Sequence, residues 1–75
     1  MKIIANKEWF IDGGFHRVFY SVSLVFVNNM HFVIRTRRIS NNDYYSTITT
    51  SDPMSYDDAY KEYLKNGGDD IETVG

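Results

Sequence analysis

The stretch Phe15–Ile39, FHRVFYSVSLVFVNNMHFVIRTRRI, decides the fold, because aromatic and β-branched residues fill most of its positions. Two such runs separated by Asn28-Asn29 predict two long strands joined as a β-hairpin. In the first run the even-numbered residues from Val18 to Phe26 form the more apolar set. Successive strand residues point to opposite faces, so this even set is expected to face the core.

The loop between the two strands decides which residues of the second strand join that core face. A three-residue loop, Val27–Asn29, pairs Phe26 with Met30, so the even residues of both strands share the core face. The alternative is a two-residue type I′ turn, which Asn tolerates because it adopts the left-handed backbone region. That turn pairs Val27 with Met30. We favour the three-residue loop on the hydrophobic pattern, and the two-residue turn stays open.

The favoured loop leaves a mixed apolar and basic face on the side away from the core. Its members are Arg17, Phe19, Val25, Val27, His31, Val33, Arg35 and Arg37. This face is more apolar than a surface that is merely exposed to solvent. Tyr and Arg are also enriched at binding hot spots. We expect it to bind a partner, and the predicted contact residues are Arg17, Phe19, Val33, Arg35, Arg37, Arg38 and Tyr45.

Two further strands complete the predicted sheet. Lys2–Ile11 alternates in polarity, and a two-residue Gly13-Gly14 turn pairs Trp9 with Val18, which keeps both apolar sets in the core. Tyr44–Thr50 is rich in Tyr, Thr and Ile, as strands are, and an Ile34–Ile48 pair would continue the core. The simplest spatial order is the sequence order, a meander.

One helix is predicted after the sheet. Ser55 is a typical N-cap with Asp58 three residues later, and Asn66-Gly67 is a typical stop. The apolar stripe at helical spacing consists of Tyr56, Ala59, Tyr60, Tyr63 and Leu64. The stripe must lie on the sheet, because a three-turn helix alone is only marginally stable in water.

These elements predict an α+β fold: a four-stranded antiparallel meander with one C-terminal helix packed on one face. We place a single domain at residues 1–67 and an acidic, mobile tail at residues 68–75. Seventy-five residues allow one domain, and a chain this short buries only about 60% of its unfolded surface.

Charge is divided unevenly along the chain. Residues 1–51 hold six basic and three acidic residues (+3), whereas residues 52–75 hold two basic and seven acidic residues (−5). No apolar run of about 18 residues predicts a membrane span, and the N-terminus lacks the pattern of a signal peptide. We therefore expect a cytoplasmic protein with no membrane partner.

The chemistry-bearing residues do not form a recognisable catalytic or metal motif. The chain has no cysteine, and the spacing of His16 and His31 matches no metal site. Asp57-Asp58 fits helix capping, and Asp69-Asp70 fits a solvated tail. No nucleophile elbow or phosphate-binding glycine loop is present. The sequence therefore predicts a protein that is not an enzyme, with no catalytic residue, no metal and no cofactor.

A nucleic-acid interface is the main alternative to a protein partner. The run Arg35–Arg38 lies near several aromatic residues, and sheet faces with aromatics and arginines bind single strands. The net charge of −2 and the absence of an RNP-type aromatic motif favour a protein partner instead. A homodimer formed through the same sheet face is a second alternative.

In size, acidity, tyrosine content and sheet-plus-helix layout, the whole chain resembles the small phage- or mobile-element-encoded inhibitors of bacterial defence, such as anti-CRISPR proteins. That group shares no motif, so the resemblance transfers no functional residue. It implies a protein that blocks a host complex by occupying a nucleic-acid or partner surface. The acidic region 52–75 could then mimic phosphate charge.

Overall fold

The computed structural model describes residues 1–39 and 46–70 of the chain. It contains strands β1 (Lys2–Asp12), β2 (Arg17–Val27), β3 (Met30–Ile39) and β4 (Thr47–Thr50), followed by helix α1 (Tyr56–Lys65). The strands form one antiparallel sheet in the order β1-β2-β3-β4. The helix packs on β2 and β3. The predicted α+β meander with a C-terminal helix is confirmed.

A two-residue turn joins β2 to β3, so the favoured three-residue loop is wrong. Asn28 and Asn29 both have positive φ, 52° and 63°, as a type I′ turn requires. Val27 pairs with Met30 across the turn. The reason is backbone twist, because a type I′ turn matches the right-handed twist of the flanking strands and two Asn residues can adopt it.

This turn changes which residues of β3 lie in the core. Leu24 pairs with Val33, and both are buried together with Val22 under Ala59 and Tyr63 of the helix. The prediction that the even residues of β2 face the core is confirmed for Val22 and Leu24. For β3 the prediction is wrong, because its odd residues share the face of α1. Its even residues Met30, Phe32 and Ile34 lie on the opposite face.

The β1–β2 connection is also longer than predicted. Asp12 pairs with Arg17, which leaves a four-residue loop, Gly13–His16, in place of a two-residue turn. The Gly13 N–H donates to the His16 carbonyl at 2.8 Å and so closes the loop. Trp9 consequently pairs with Tyr20 and not with Val18. A shift of two residues returns a side chain to its original face, so the predicted face holds for Ala5, Trp9 and Ile11 despite the wrong register. It is wrong for Ile3, which pairs with Val25 and lies on the opposite face.

Two irregularities modify the edges of the sheet. In β1 the pairing slips between Ile3 and Ala5, which makes Ile4 the extra residue of a β-bulge. In β4, Ile48 pairs with Thr36, so the predicted Ile34–Ile48 pair is wrong. Tyr44 and Tyr45 lie outside the described residues.

The chain continues along the edge of β3 after β4 ends. The Ser51 N–H donates to the Val33 carbonyl at 2.9 Å, and the Ser51 hydroxyl accepts from the Val33 N–H at the same distance. Met54 then exchanges two backbone hydrogen bonds with His31, of 2.8 and 3.2 Å. These bonds place the start of α1 at the end of the sheet nearest the Asn28-Asn29 turn.

Both predicted helix ends are confirmed. The Ser55 hydroxyl accepts a hydrogen bond from the Asp58 N–H at 3.3 Å. At the other end Gly67 has φ +103°, and the N–H groups of Gly67 and Gly68 donate to the carbonyls of Leu64 and Tyr63, which is a Schellman motif. A Cβ at Gly67 would lie 2.7 Å from the Trp9 ring. The turn that follows the helix therefore rests directly on Trp9 of β1.

The first residues of the acidic C-terminal segment contact the domain. Asp69 forms a 2.7 Å ion pair with Lys7 of β1, and the Tyr60 hydroxyl donates to Asp70 at 3.1 Å. These contacts hold Asp69 and Asp70 against the domain. The predicted division at residues 67 and 68 stays a prediction, and residues 71–75 lie outside the described part of the chain.

The helix is much shorter than the sheet that it covers. Eleven-residue strands span about 36 Å, whereas ten helical residues span about 15 Å. The sheet therefore projects beyond the end of the helix as an extension that we call the arm: Trp9–Tyr20 with Arg37–Ile39. No residue of the arm is buried.

Candidate binding surface

The side of the sheet away from α1, here called the open face, carries no covering layer among the described residues. At the end nearest the Gly13–His16 loop it displays aromatic and charged side chains. Its middle is polar, and its other end is apolar. The three zones come from the alternation of each strand, because β2 contributes odd residues and β3 even ones. β1 contributes its even residues from Asn6 to Asp12 and, beyond the bulge, Ile3.

Four side chains form a continuous row across the first zone of the open face. The Arg17 guanidinium lies 5.1 Å from the centre of the Phe10 ring, and that ring lies 5.9 Å from the ring of Phe19. The Arg38 guanidinium lies 5.1 Å from the Phe19 ring. We call this row the Arg–Phe ladder. Each guanidinium is within the distance at which a cation and an aromatic face attract.

A groove of about 590 Å³ runs beside the ladder. It takes open-face residues from all four strands: Glu8, Phe10, Phe19, Ser21, Thr36, Arg38 and Ile48. The hydroxyls of Ser21 and Thr36 hydrogen-bond to each other on its floor. Farther along, the Ser23 hydroxyl donates to the Asn6 side chain at 2.7 Å. Polar groups of the middle zone are therefore paired within the sheet.

The far zone of the open face is a small apolar patch of its own. Val25 is 2% exposed although it points away from the helix, because Ile3 and Phe32 flank it on the neighbouring strands. Ile3 and Met30 are 58% and 49% exposed. Large apolar groups thus reach the surface at both ends of the open face.

The structure divides the predicted contact residues between the two sides of the sheet. Arg17, Phe19 and Arg38 lie together in the ladder. Val33 does not belong to that surface, because it is 3% exposed beneath the helix. Arg35 and Arg37 also lie on the helix side, and the Arg35 guanidinium donates to the Asn66 side chain at 3.0 Å. Their predicted outward placement was wrong because it depended on the three-residue loop.

Several exposed apolar residues were not predicted as contacts. Phe10 and Ile48 are 53% and 73% exposed on the open face, and Phe15 is 94% exposed in the Gly13–His16 loop. The sequence did contain a signal for Phe10, since the alternation of β1 already assigned it to the outer face. Phe15 directly follows two glycines, which is a position typical of a loop. The predicted contact Tyr45 lies outside the described residues.

Among the residues that the structure describes, two side chains have a shifted pKa, and both lie near the C-terminal end of the helix. The hydrogen bond and the negative charge of Asp69 raise the pKa of Lys7 above its ordinary value of 10.5. Burial, followed by the charge of Asp69, raises the pKa of Tyr63 above 10.0. Both shifts belong to the packing of residues 67–70 on the sheet and not to the open face.

Metal-ligating groups are dispersed in the described chain. Among residues 1–39 and 46–70, no three His, Asp or Glu side chains come together as a potential metal site. His31 packs between the rings of Phe26 and Tyr56, with ring centres 4.8 and 5.4 Å away. In the same described ranges, no helix has the length and apolar character needed to cross a membrane.

Comparisons with known proteins give no relative from which a function could be transferred. The chain matches no protein-family model, no curated protein and no solved structure.

Proposed function

We propose that the chain is a small, non-enzymatic binding module that engages a protein partner through the open face of its sheet. The observation that supports this is the set of large apolar side chains on that face. Ile3, Phe10 and Ile48 each expose more than half of their surface, at 58%, 53% and 73%. Phe10 and Ile48 line the same groove, and contiguous apolar surface on a small protein usually marks an interface.

The composition of the open face favours a protein over a nucleic acid. Its described charged residues are Arg17 and Arg38 against Glu8 and Asp12, two positive and two negative, so they sum to zero. Binding to a phosphate backbone draws its affinity from an excess of positive charge. Aromatic rings beside arginines are, in contrast, the residues that dominate protein interfaces.

The proposal is tested by substitutions at exposed residues on the two sides of the molecule. The double variant Phe10→Ser/Ile48→Ser removes apolar groups from the open face, and Tyr56→Ser removes a 40% exposed aromatic from the helix as a matched control. Proteins captured from a bacterial lysate are identified by mass spectrometry, and the purified partner is titrated by calorimetry. We expect Tyr56→Ser to bind like the wild type and the double variant to lose binding. Retained binding by the double variant would exclude the open face.

The resemblance to phage-encoded inhibitors suggests the identity of the partner. We propose a bacterial defence complex, and the host cytoplasm as the place of action. Expression of the chain in bacteria with an active CRISPR system should restore plaque formation by a targeted phage. Unchanged immunity would exclude that system as the target.

One observation favours a single-stranded nucleic acid as a second candidate. The exposed ring of Phe10 and the half-buried ring of Phe19 lie beside Arg38 on a sheet, where bases could stack. A 20-nucleotide oligo-dT would then raise the fluorescence anisotropy of the labelled oligonucleotide at low salt, with binding that weakens steeply as salt is added. An unchanged anisotropy at low salt would remove this candidate.

A homodimer would use the same apolar groups. Sedimentation equilibrium distinguishes it, since the apparent mass would rise with concentration for the wild type and not for Phe10→Ser/Ile48→Ser. A constant mass of one chain, 8.8 kDa, would contradict the homodimer.

A further inference from the structure

We infer that the protein partner receives the arm in a cleft and contacts both of its faces, and that this cleft has apolar walls and carboxylates at its rim. The inference rests on the proposed function and deepens it, because it specifies the shape and chemistry of the partner. The alternative geometry is a flat partner surface that contacts the open face alone.

The first argument is that the arm is apolar and exposed on both sides. Phe10 and Ile11 are neighbours on β1, so they point to opposite faces, yet they are 53% and 54% exposed. Val18 pairs with Ile11 and is only half-buried, because the helix ends before it reaches this row. Phe15 at the tip is 94% exposed. A flat partner surface would cover the exposed apolar side chains of only one face of the arm.

The second argument is that the root of the arm is held rigidly. The rings of Trp9 and Tyr20 stack with centres 5.6 Å apart and planes 14° apart. Gly67 packs against the outer edge of the Trp9 ring, where a Cβ would come within 2.7 Å. The arm is thus fixed relative to the body before binding, which lowers the entropy that association costs.

The third argument is the charge of the arm. Arg17, Arg37 and Arg38 against Asp12 give the arm a charge of +2 with neutral His, within a chain whose net charge is −2. The remaining residues therefore carry −4. Arg17 and Arg38 project from the open face, whereas Arg37 projects from the helix side. Cations on both faces fit a cleft with carboxylates on both rims, where guanidinium groups form charge-assisted hydrogen bonds.

Photo-crosslinking tests the geometry directly. The photoreactive residue p-benzoylphenylalanine replaces Phe10, Ile11 or, as a control on the helix, Tyr56, and each protein is irradiated in a bacterial lysate. We expect the same protein to be crosslinked from positions 10 and 11 and not from 56. Crosslinks from position 10 to a second copy of the chain, or binding of a 20-nucleotide oligo-dT in place of a protein, would overturn the inference.

Affinity for the purified crosslinked protein then separates this inference from the proposed function. Phe10→Ser and Ile11→Ser are each expected to weaken binding at least about tenfold, as interface hot spots do, and added salt should weaken it further. Thermal melts confirm that both variants are folded. If only Phe10→Ser weakens binding, the partner contacts one face, so the cleft is refuted while the proposed function stands. If neither variant weakens binding, both proposals fail.

Discussion

Replacement of Gly67 by alanine tests how the end of the helix is fixed to the sheet. Gly67 has φ +103°, a region that costs a non-glycine residue about 1–2 kcal/mol. A Cβ at this position would also lie 2.7 Å from the Trp9 ring, and such overpacking typically costs about 1–3 kcal/mol. We therefore expect a loss of about 2–5 kcal/mol. A domain of this length is stabilised by about 4–11 kcal/mol in total, so the loss is a large share.

Gly14→Ala supplies the matched control. Gly14 has φ +94°, and a Cβ there would meet no atom within 4 Å. It should therefore lose only the backbone cost of about 1–2 kcal/mol. The difference between the two variants isolates the contact of Gly67 with the indole ring of Trp9.

Urea denaturation measures both losses. Unfolding is followed by circular dichroism and by the fluorescence of Trp9, the single tryptophan of the chain. In a Trp9→Phe background, followed by circular dichroism alone, the smaller ring should relieve the contact, so Gly67→Ala should cost no more than Gly14→Ala. Equal losses for the two glycine variants in the wild-type background would refute the packing of Gly67 on Trp9.

Three further predictions concern the turn, the helix cap and alkaline pH. Asn29→Ala should lower the free energy of unfolding by about 1 kcal/mol, because alanine tolerates the φ of 63° less well than Asn. Asn29→Gly should leave that free energy unchanged. Equal losses for the two variants in urea denaturation would contradict the turn type. Ser55→Ala should cost about 1 kcal/mol through loss of the cap to the Asp58 N–H, whereas Ser55→Thr should retain most of it. The raised pKa values of Lys7 and Tyr63 mean that the folded chain retains protons that the unfolded chain releases above pH 10.0–10.5. The contribution of these two groups to stability should therefore be constant below that range and fall as pH rises through it. Between about pH 9 and 11 the melting temperature should decline less for Lys7→Met than for the wild type, and an unchanged decline would contradict the Lys7–Asp69 pair.

Most of the fold could be predicted because several local signals agreed. The helix has a cap, an apolar stripe and a stop at consistent positions. Its limits, Tyr56–Lys65, follow from Ser55 and from Asn66-Gly67. The long strands and the meander follow from β-branched runs separated by short turns.

The side of β3 that faces the core could not be predicted, because this strand is apolar on both faces near the turn. Phe32 and Ile34 on one face compete with Val33 on the other. The hydrophobic pattern therefore could not decide which face of β3 lies in the core. The geometry of the turn fixes the pairing of the two strands, and so decides that face. A one-residue change of register moves every side chain to the opposite face. This single error moved Val33, Arg35 and Arg37 from the predicted binding surface to the side of the helix.

The candidate site was predictable only in part for a second reason. Arg17 and Phe19 could be assigned to one face from strand alternation, whereas Arg38 shares that face only because of the two-residue turn. The exposure of Ile11 and Phe15 depends instead on the length of the helix relative to the sheet and on the four-residue loop. Both are tertiary features, and sequence periodicity does not report them.

The central claim is that the open face and the arm are available for binding because the type I′ turn buries Val33 and leaves the opposite side of the sheet uncovered. Nuclear Overhauser contacts between the core residues of α1 and the methyl groups of β3 test it most directly in solution. Val33 lies in one buried cluster with Ala59 and Tyr63, so the structure predicts contacts from these helix residues to Val33 and none to Ile34. Contacts from Ala59 or Tyr63 to Ile34 with none to Val33 would show that the sheet faces are reversed and would contradict the account.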